Sequence, residues 1–358
     1  MNPLLQVSQL GQQIWLDNLS RTLLNDGELA RFITEDGIAG VTTNPAIFHK
    51  AIAGGRYYED DLAALKQQGL SAEARYEALV IPDVQAACDL LASLHRASGG
   101  NAGYVSLEVS PELAHDAAGT LAAGLRLSAA VDRTNLLIKV PATAAGIEAI
   151  EQLIGAGVNV NVTLLFSLAH SDAVAQAYLR GLERLRLAGG DVTRVMSVAS
   201  LFLSRVDSLV DKQLEELGGQ ALALRGKSAV AIAKLAYQRY RERFHGPEFA
   251  TLRSLGARPQ FMLWASTGTK NPAYSDLLYV EPLIGAETIN TLPDGTLAAL
   301  RDHGQAGNTL GADVVEAAAQ YVALGQTGID LEQVGERLQR EGLDQFEQAF
   351  AALLQLTS

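Results

Sequence analysis

The sequence predicts an α/β protein built as one eight-stranded parallel barrel with a helical extension at its C-terminus. Short apolar runs of strand character alternate with amphipathic helical stretches along most of the 358 residues. Such alternation implies parallel strands joined by crossover helices, and the runs number eight, as a (β/α)8 barrel needs. Polar side chains gather at the C-terminal ends of those runs, where barrels of this kind collect their reactive groups. A doubly wound open sheet is the competing arrangement for the same pattern.

In chain order, strands are expected at residues 13–18, 39–43, 104–109, 136–141, 158–164, 194–200, 260–266 and 287–291. Each is a short apolar or alternating run bounded by turn-forming or helical sequence. Helical periodicity marks residues 72–97, 114–131, 146–154, 168–187, 202–217 and 227–244. Gly218-Gly219-Gln220 and the region 244–259 read as an insertion with extra helices before the seventh strand. Beyond Leu310 the better periodic stretches are 313–324 and 331–354. We read one domain over 1–358, with the barrel over about 12–305 and the extension over about 311–358. Two roles stay open for that tail: closing the side of the barrel, or covering its mouth.

Composition narrows the function classes. An apolar content of 48% with 19% charged residues describes a globular chain with ample core. The net charge of −12 argues against nucleic acid and against an anionic membrane surface. A small anionic substrate remains compatible, because a few local cations override a global balance. The single cysteine, Cys88, excludes an internal disulfide and a cysteine-rich zinc site; it reads as a small core residue in a reducing cytoplasm. The N-terminal residues lack a basic region and a long apolar core, so no secretory signal is expected, and no stretch is read as reaching membrane-spanning length. Nothing in the sequence separates a monomer from a homodimer.

Lys139 stands out within this frame. It lies between Leu136-Leu137-Ile138 and Val140-Pro141, an apolar run of buried-strand character. Burying an ammonium is costly unless it is paired or loses its proton, so Lys139 is a candidate amine nucleophile for carbonyl chemistry. A buried ion pair and a lysine snorkelling to the surface are the competing explanations. Strand parity adds a second signal. Asn159-Val160-Asn161-Val162-Thr163 alternates polar and apolar residues without exception, so one face of that strand is entirely amide and hydroxyl. An exposed edge strand also alternates, but in a barrel the polar face must line the lumen. The same parity pairs Ser106 with Glu108, Trp15 with Asp17, and Thr42 with Asn44. Asp17, Asn44, Glu108, Lys139, Thr163, Ser200 and Ser266 all fall at strand C-terminal ends.

Taken singly, several of these residues have plainer explanations. Asp17, Asn44 and Ser200 suit helix N-caps, Asn44 before Pro45 most of all. Glu108, flanked by Leu107 and Val109, needs a partner that Lys139 would supply under either a structural or a catalytic reading. Competing motifs fail on context. Gly155-Ala156-Gly157 follows a helix and precedes a strand, the reverse of a dinucleotide fingerprint. Gly226-Lys227-Ser228 ends like a phosphate-binding loop, but Ala221 stands where its first glycine belongs. The six histidines show no metal-ligand spacing.

Two longer segments carry a family resemblance. Gly40-Val41-Thr42-Thr43-Asn44-Pro45-Ala46-Ile47-Phe48 resembles the N-terminal signature of transaldolases. The run from Leu137 through Lys139-Val140-Pro141 to Ile150 resembles their active-site lysine signature. The similarity continues through Trp15-Leu16-Asp17, residues 105–109, residues 161–167 and Leu263-Trp264-Ala265-Ser266-Thr267, with the length of the longer bacterial branch. It implies a single TIM barrel of the class I aldolase type, with no metal or organic cofactor. It also implies transfer of a dihydroxyacetone unit between sugar phosphates through a Schiff base, in the non-oxidative pentose phosphate pathway. Carried over residue by residue, Lys139 forms the imine, Asp17 moves the proton of the bond-breaking step, and Glu108 with Thr163 and a water shuttles protons. Asn44, Asn161 and Ser200 hold substrate hydroxyls.

For the phosphate, Ser200-Leu201-Phe202-Leu203-Ser204-Arg205 retains the family's serine, aromatic and arginine, so Phe202 and Arg205 carry over. After the seventh strand Ser266 aligns, but the expected arginine is absent and Lys270 comes two positions late. Lys270 is the candidate replacement, as a point charge without arginine's fork; a solvated loop lysine is the alternative. Two other functions stay in view: a fructose 6-phosphate aldolase, a group in which a tyrosine assists proton transfer whereas the motif here offers Glu108, and a non-catalytic barrel that binds sugar phosphates.

Overall fold

The computed structural model describes residues 2–358. Its centre is a closed parallel barrel in which each strand pairs with the next and β8 returns to β1, so the open-sheet alternative is set aside. The strands are β1 (Gln12–Leu16), β2 (Gly40–Val41), β3 (Tyr104–Glu108), β4 (Leu136–Pro141), β5 (Val160–Leu165), β6 (Ser197–Phe202), β7 (Phe261–Ala265) and β8 (Thr288–Leu292). The ring closes over five residue pairs between β1 and β8, from Gln12 beside Thr288 to Leu16 beside Leu292. At the base of that seam Gln12 donates to the Leu283 carbonyl at 2.6 Å and to the Thr288 hydroxyl at 3.0 Å. Every strand residue except Gln13 is buried, as expected for a sheet covered on both faces.

The strand order matches the expectation, and the ends shift for local reasons. The sixth strand starts at Ser197 because Asp191 accepts from the backbone and hydroxyl of Thr193, folding Val192–Arg194 into a 3-10 turn. Phe202, expected at a helix start, is the last residue of that strand instead. In β2 the ring of Trp15 lies where a side chain at Gly40 would go, a Cβ there falling 2.5 Å from the indole. The helices around the barrel begin at capping side chains: Ser71 before Ala72–Ala97, Asp116 before Ala117–Val131, Thr143 before Ala144–Gly155 and Ser167 before Leu168–Leu187. Asn44 also caps its helix, accepting from Ile47 N at 3.0 Å. Asp17 and Ser200 do not cap: Asp17 accepts from Thr42, and Ser200 sits inside β6.

One expectation fails. The helix Ala72–Ala97, at mean hydropathy 1.2 over its most apolar window, is long and apolar enough to cross a membrane by length and composition. Its apolar face packs on the barrel instead, with Tyr76, Leu79, Val80, Val84, Ala87, Cys88 and Leu91 buried. Asp83 on the same face is held by Arg21 at 2.8 Å and Tyr58 at 2.8 Å. Burial pushes the Cys88 thiol up to about 12, so it behaves as an inert core residue.

Of the two regions read as an insertion before β7, the first holds a 3-10 segment (Gly219–Leu224) and the second the helix Ala250–Ser254; between them runs Ser228–His245, the helix expected at 227–244. After β8 come Asp294–His303, Val314–Gln326 and the 27-residue helix Leu331–Thr357. This last helix crosses the C-terminal mouth of the barrel. Gln339 donates to the carbonyls of Ala142 and Leu164 at 3.1 Å each, and Arg75 fixes the far end through the Thr357 carbonyl at 2.9 Å.

Candidate active site

The C-terminal ends of the strands surround a cavity of about 110 Å³, walled by Asp17, Thr42, Asn44, Lys139, Thr163 and Ser200 and by residues from the later strands and the last helix. Lys139 reaches it from β4, at 4% exposure. Its Nζ donates to the Thr43 carbonyl at 2.9 Å and to Glu108 Oε2 at 3.2 Å. The pairing is dictated by register, since Glu108 on β3 lies directly beside Lys139 on β4. Burial drives the Glu108 carboxyl up to about 7; the neighbouring lysine opposes the shift and the Asp17 charge adds to it. A carboxyl titrating near neutrality, in hydrogen-bond contact with an amine, can exchange a proton with it.

Asp17, one residue past β1, accepts from Thr42 Oγ1 at 2.7 Å. Thr42 shares a second hydroxyl contact with Thr291 at 2.6 Å. Burial raises the Asp17 carboxyl, partly offset by the Thr42 hydrogen bond and the lysine charge. On the other wall, Ser200 donates to Asn161 Oδ1 at 2.7 Å and Asn161 Nδ2 donates to Ser106 at 2.9 Å, so these three lumen-facing residues form one chain. Thr163 Oγ1 is buried and has no protein partner, which leaves it free to bind a small polar molecule. Beyond it the β5–β6 register shifts between Val162 and Leu165. Leu164 takes a left-handed φ of 60° there, ending the alternation that placed Asn161 and Thr163 in the lumen.

Arg205, in the first turn after β6, also faces the cavity, stacked over Phe202 at 5.6 Å. It makes no ion pair or hydrogen bond among the described residues, and burial lowers its pKa. A half-buried guanidinium without a carboxylate is an anion receptor. Ser266, at a left-handed φ of 54° just past β7, completes this wall and contacts the Ser204 hydroxyl at 2.9 Å. Lys270 is exposed and lies outside the cavity lining.

Eight of the eleven residues singled out from sequence therefore line one cavity, and Glu108 and Asn161 touch its members directly; Lys270 stands apart. Sequence reasoning did not assign Thr42, Thr291 or Phe346 to the site. Thr42 sits in the Gly40–Phe48 segment and so carried a readable signal; Thr291 follows Asn290 in Thr288-Ile289-Asn290-Thr291-Leu292, a run that breaks polar–apolar alternation and gives no such signal. Phe346, from the last helix, has its ring 5.5 Å from Lys139 Nζ; in sequence it is one more apolar residue on a packed stripe. Among the described residues, no group of three His, Cys, Asp or Glu side chains is arranged to hold a metal ion.

A parallel eight-stranded barrel with one lysine amine at the centre of its C-terminal mouth, beside two carboxyl groups of raised pKa, is the architecture of an enzyme for carbonyl substrates. The chain belongs to the transaldolase/fructose-6-phosphate aldolase family, whose model matches residues 14–357. It is 59% identical over 355 residues to a transaldolase of Thiobacillus denitrificans, covering 99% of both chains. It is 52% identical over 354 residues to one of Neisseria gonorrhoeae, again over 99% of both. Identity is 46% to transaldolase 1 of Streptomyces coelicolor, over 98% of this chain and 92% of that one.

Proposed function

We propose that the chain moves a dihydroxyacetone unit from sedoheptulose 7-phosphate to glyceraldehyde 3-phosphate, yielding erythrose 4-phosphate and fructose 6-phosphate in the cytoplasmic pentose phosphate pathway. The observation that carries this reading is the contact of 3.2 Å between the Lys139 amine and a Glu108 carboxyl pushed up to about 7. The amine, once deprotonated, attacks the ketose carbonyl. Glu108 passes the protons needed to expel water, and the product is an iminium on Nζ. Thr163, with its unpartnered hydroxyl, holds the water that leaves and later returns.

The iminium withdraws electrons from the adjacent carbon–carbon bond. Asp17 removes the C4 hydroxyl proton as that bond breaks, an aldehyde leaves, and the three-carbon enamine remains on Lys139. Asn44, Asn161 and Ser200 hold its hydroxyls; carboxamides suit this because they donate and accept without adding charge. The acceptor aldehyde takes the enamine carbon, Asp17 returns its proton, and water releases the product. Each well-placed acid or base contributes on the order of 10²–10⁴ in rate. Arg205, aided by Phe202 and Ser266, binds the phosphate. Lys270, exposed and outside the cavity lining, is the second candidate cation for that phosphate.

Borohydride reduction in the presence of fructose 6-phosphate, followed by peptide mass spectrometry, tests the assignment. The expected adduct is a reduced three-carbon or six-carbon fragment on Lys139, absent in Lys139→Met. Turnover surviving that substitution, or label on another residue, sinks the mechanism. Adding erythrose 4-phosphate then separates transfer from release of free dihydroxyacetone, the outcome expected of a fructose 6-phosphate aldolase.

A further inference from the structure

A second concave surface lies at the opposite end of the barrel, where the N-terminal ends of β3 to β6 meet the loop before β7. It encloses about 610 Å³, within the size range of small-molecule sites. Arg96, Arg133, Arg194, Arg258 and His95 line it, and among the described residues no aspartate or glutamate does. This is unexpected in a chain with 40 acidic and 28 basic side chains. Asp89 holds Arg133 at 2.7 Å and Asp191 holds Arg194 at 3.3 Å from outside the lining, whereas among the described residues Arg96 and Arg258 have no carboxylate partner.

The arrangement is built rather than incidental. Arg258 donates to the Gly99 carbonyl at 2.7 Å. Its guanidinium lies over Gly100, where a Cβ would fall 2.8 Å from Nη2 and the φ of +81° already favours glycine. That glycine therefore keeps the arginine in place at the groove. Ser128 and Thr134 line the same space, their hydroxyls without partners among the described residues, and Leu136 and Val158 give it an apolar side. The charges of Arg258 and Arg96 join burial in lowering the His95 pKa, as a positive local potential requires.

We propose that this groove is a binding site for a compact, multiply charged phosphate-bearing anion, separate from the catalytic mouth. Two guanidiniums free of carboxylates supply fork-like donors for phosphate oxygens, and the hydroxyls supply further ones. The groove is too small for an extended polyanion and too short of apolar area for a protein partner.

Inorganic tripolyphosphate is the probe. Calorimetric titration of the full chain at low ionic strength is expected to show about one equivalent bound, weakening as salt is added. The double variant Arg96→Ala/Arg258→Ala is expected to bind about tenfold more weakly or worse. Thr134→Glu, which places a carboxylate on an exposed position of the groove, should do the same without disturbing the core. Arg205→Ala, at the catalytic mouth, should bind as the parent does. Binding unchanged in both groove variants, binding lost in Arg205→Ala, or a tighter complex with an oligoglutamate peptide than with tripolyphosphate would each overturn the proposal.

Discussion

Glu108 shows how a single residue turns burial into chemistry and, at the same time, into a stability cost. Its carboxyl is pushed from 4.5 up to about 7 because desolvation outweighs the attraction of Lys139. In the unfolded chain the group returns to its ordinary value. Between about pH 4.5 and 7 the folded state therefore binds more protons than the unfolded one, and stability falls as pH rises through that window. The contribution is fully present below 4.5 and lost above 7, amounting to at most about 3 kcal/mol. Glu108→Gln removes the titration. Urea unfolding should show the parent losing stability relative to this variant from pH 5 to pH 8, and the opposite slope would refute the assignment. The same variant should lose the proton shuttle, with turnover falling on the order of 10²-fold or more. Arg205 makes a complementary point: among the described residues its guanidinium makes no ion pair or hydrogen bond, with only the more distant Glu341 charge acting on it, the state expected of a residue whose partner is a substrate phosphate.

At the scale of elements, the last helix does what periodicity alone left open. Its stripe of Leu331, Val334, Leu338, Leu343, Phe346, Phe350 and Leu353 is buried, which places it over the barrel mouth with Phe346 above Lys139. Phe346→Ala is expected to cost about 3–5 kcal/mol as a large-to-small core change. It should also admit water over the amine and lower turnover, so unchanged turnover alongside a lowered melting temperature would deny the helix a part in catalysis. The helix that follows β4 is equally constrained at its start. Thr143 caps it, donating to the Ala114 carbonyl and accepting from Gly146 N at 2.9 Å. A Cβ on Gly146 would lie 1.9 Å from the Pro141 carbonyl oxygen and 3.0 Å from the Thr143 hydroxyl. Gly146→Ala should therefore destabilise by about 1–3 kcal/mol, and because Pro141 ends the lysine strand it should also weaken borohydride trapping.

For the whole molecule, closure of the barrel depends on contacts between its first and last units. Asp36, buried near the start of the chain, accepts from Arg301 in the helix after β8 and from Asn2 at 2.8 Å. Arg301 is partly exposed, so solvent screens the pair. Asp36→Ala is expected to lower unfolding free energy by about 1–2 kcal/mol with the cavity unchanged, measured by denaturant titration and turnover together. By itself the sequence determined the eight alternating units, the parity that sends Asn161 and Thr163 inward, and the lysine stranded among apolar neighbours, because burial and period-two geometry act on adjacent residues. Strand parity also placed Asp17 and Asn44 at strand ends; motif resemblance gave them roles and extended the reading to Phe202 and Arg205. Only the tertiary structure decided that Asn44 caps a helix while Asp17 and Ser200 do not, that Lys270 is exposed and outside the cavity lining, that Ala72–Ala97 packs on the barrel, and that Phe346 covers the amine. Those outcomes depend on contacts between residues far apart in the chain, whose energies no local pattern encodes.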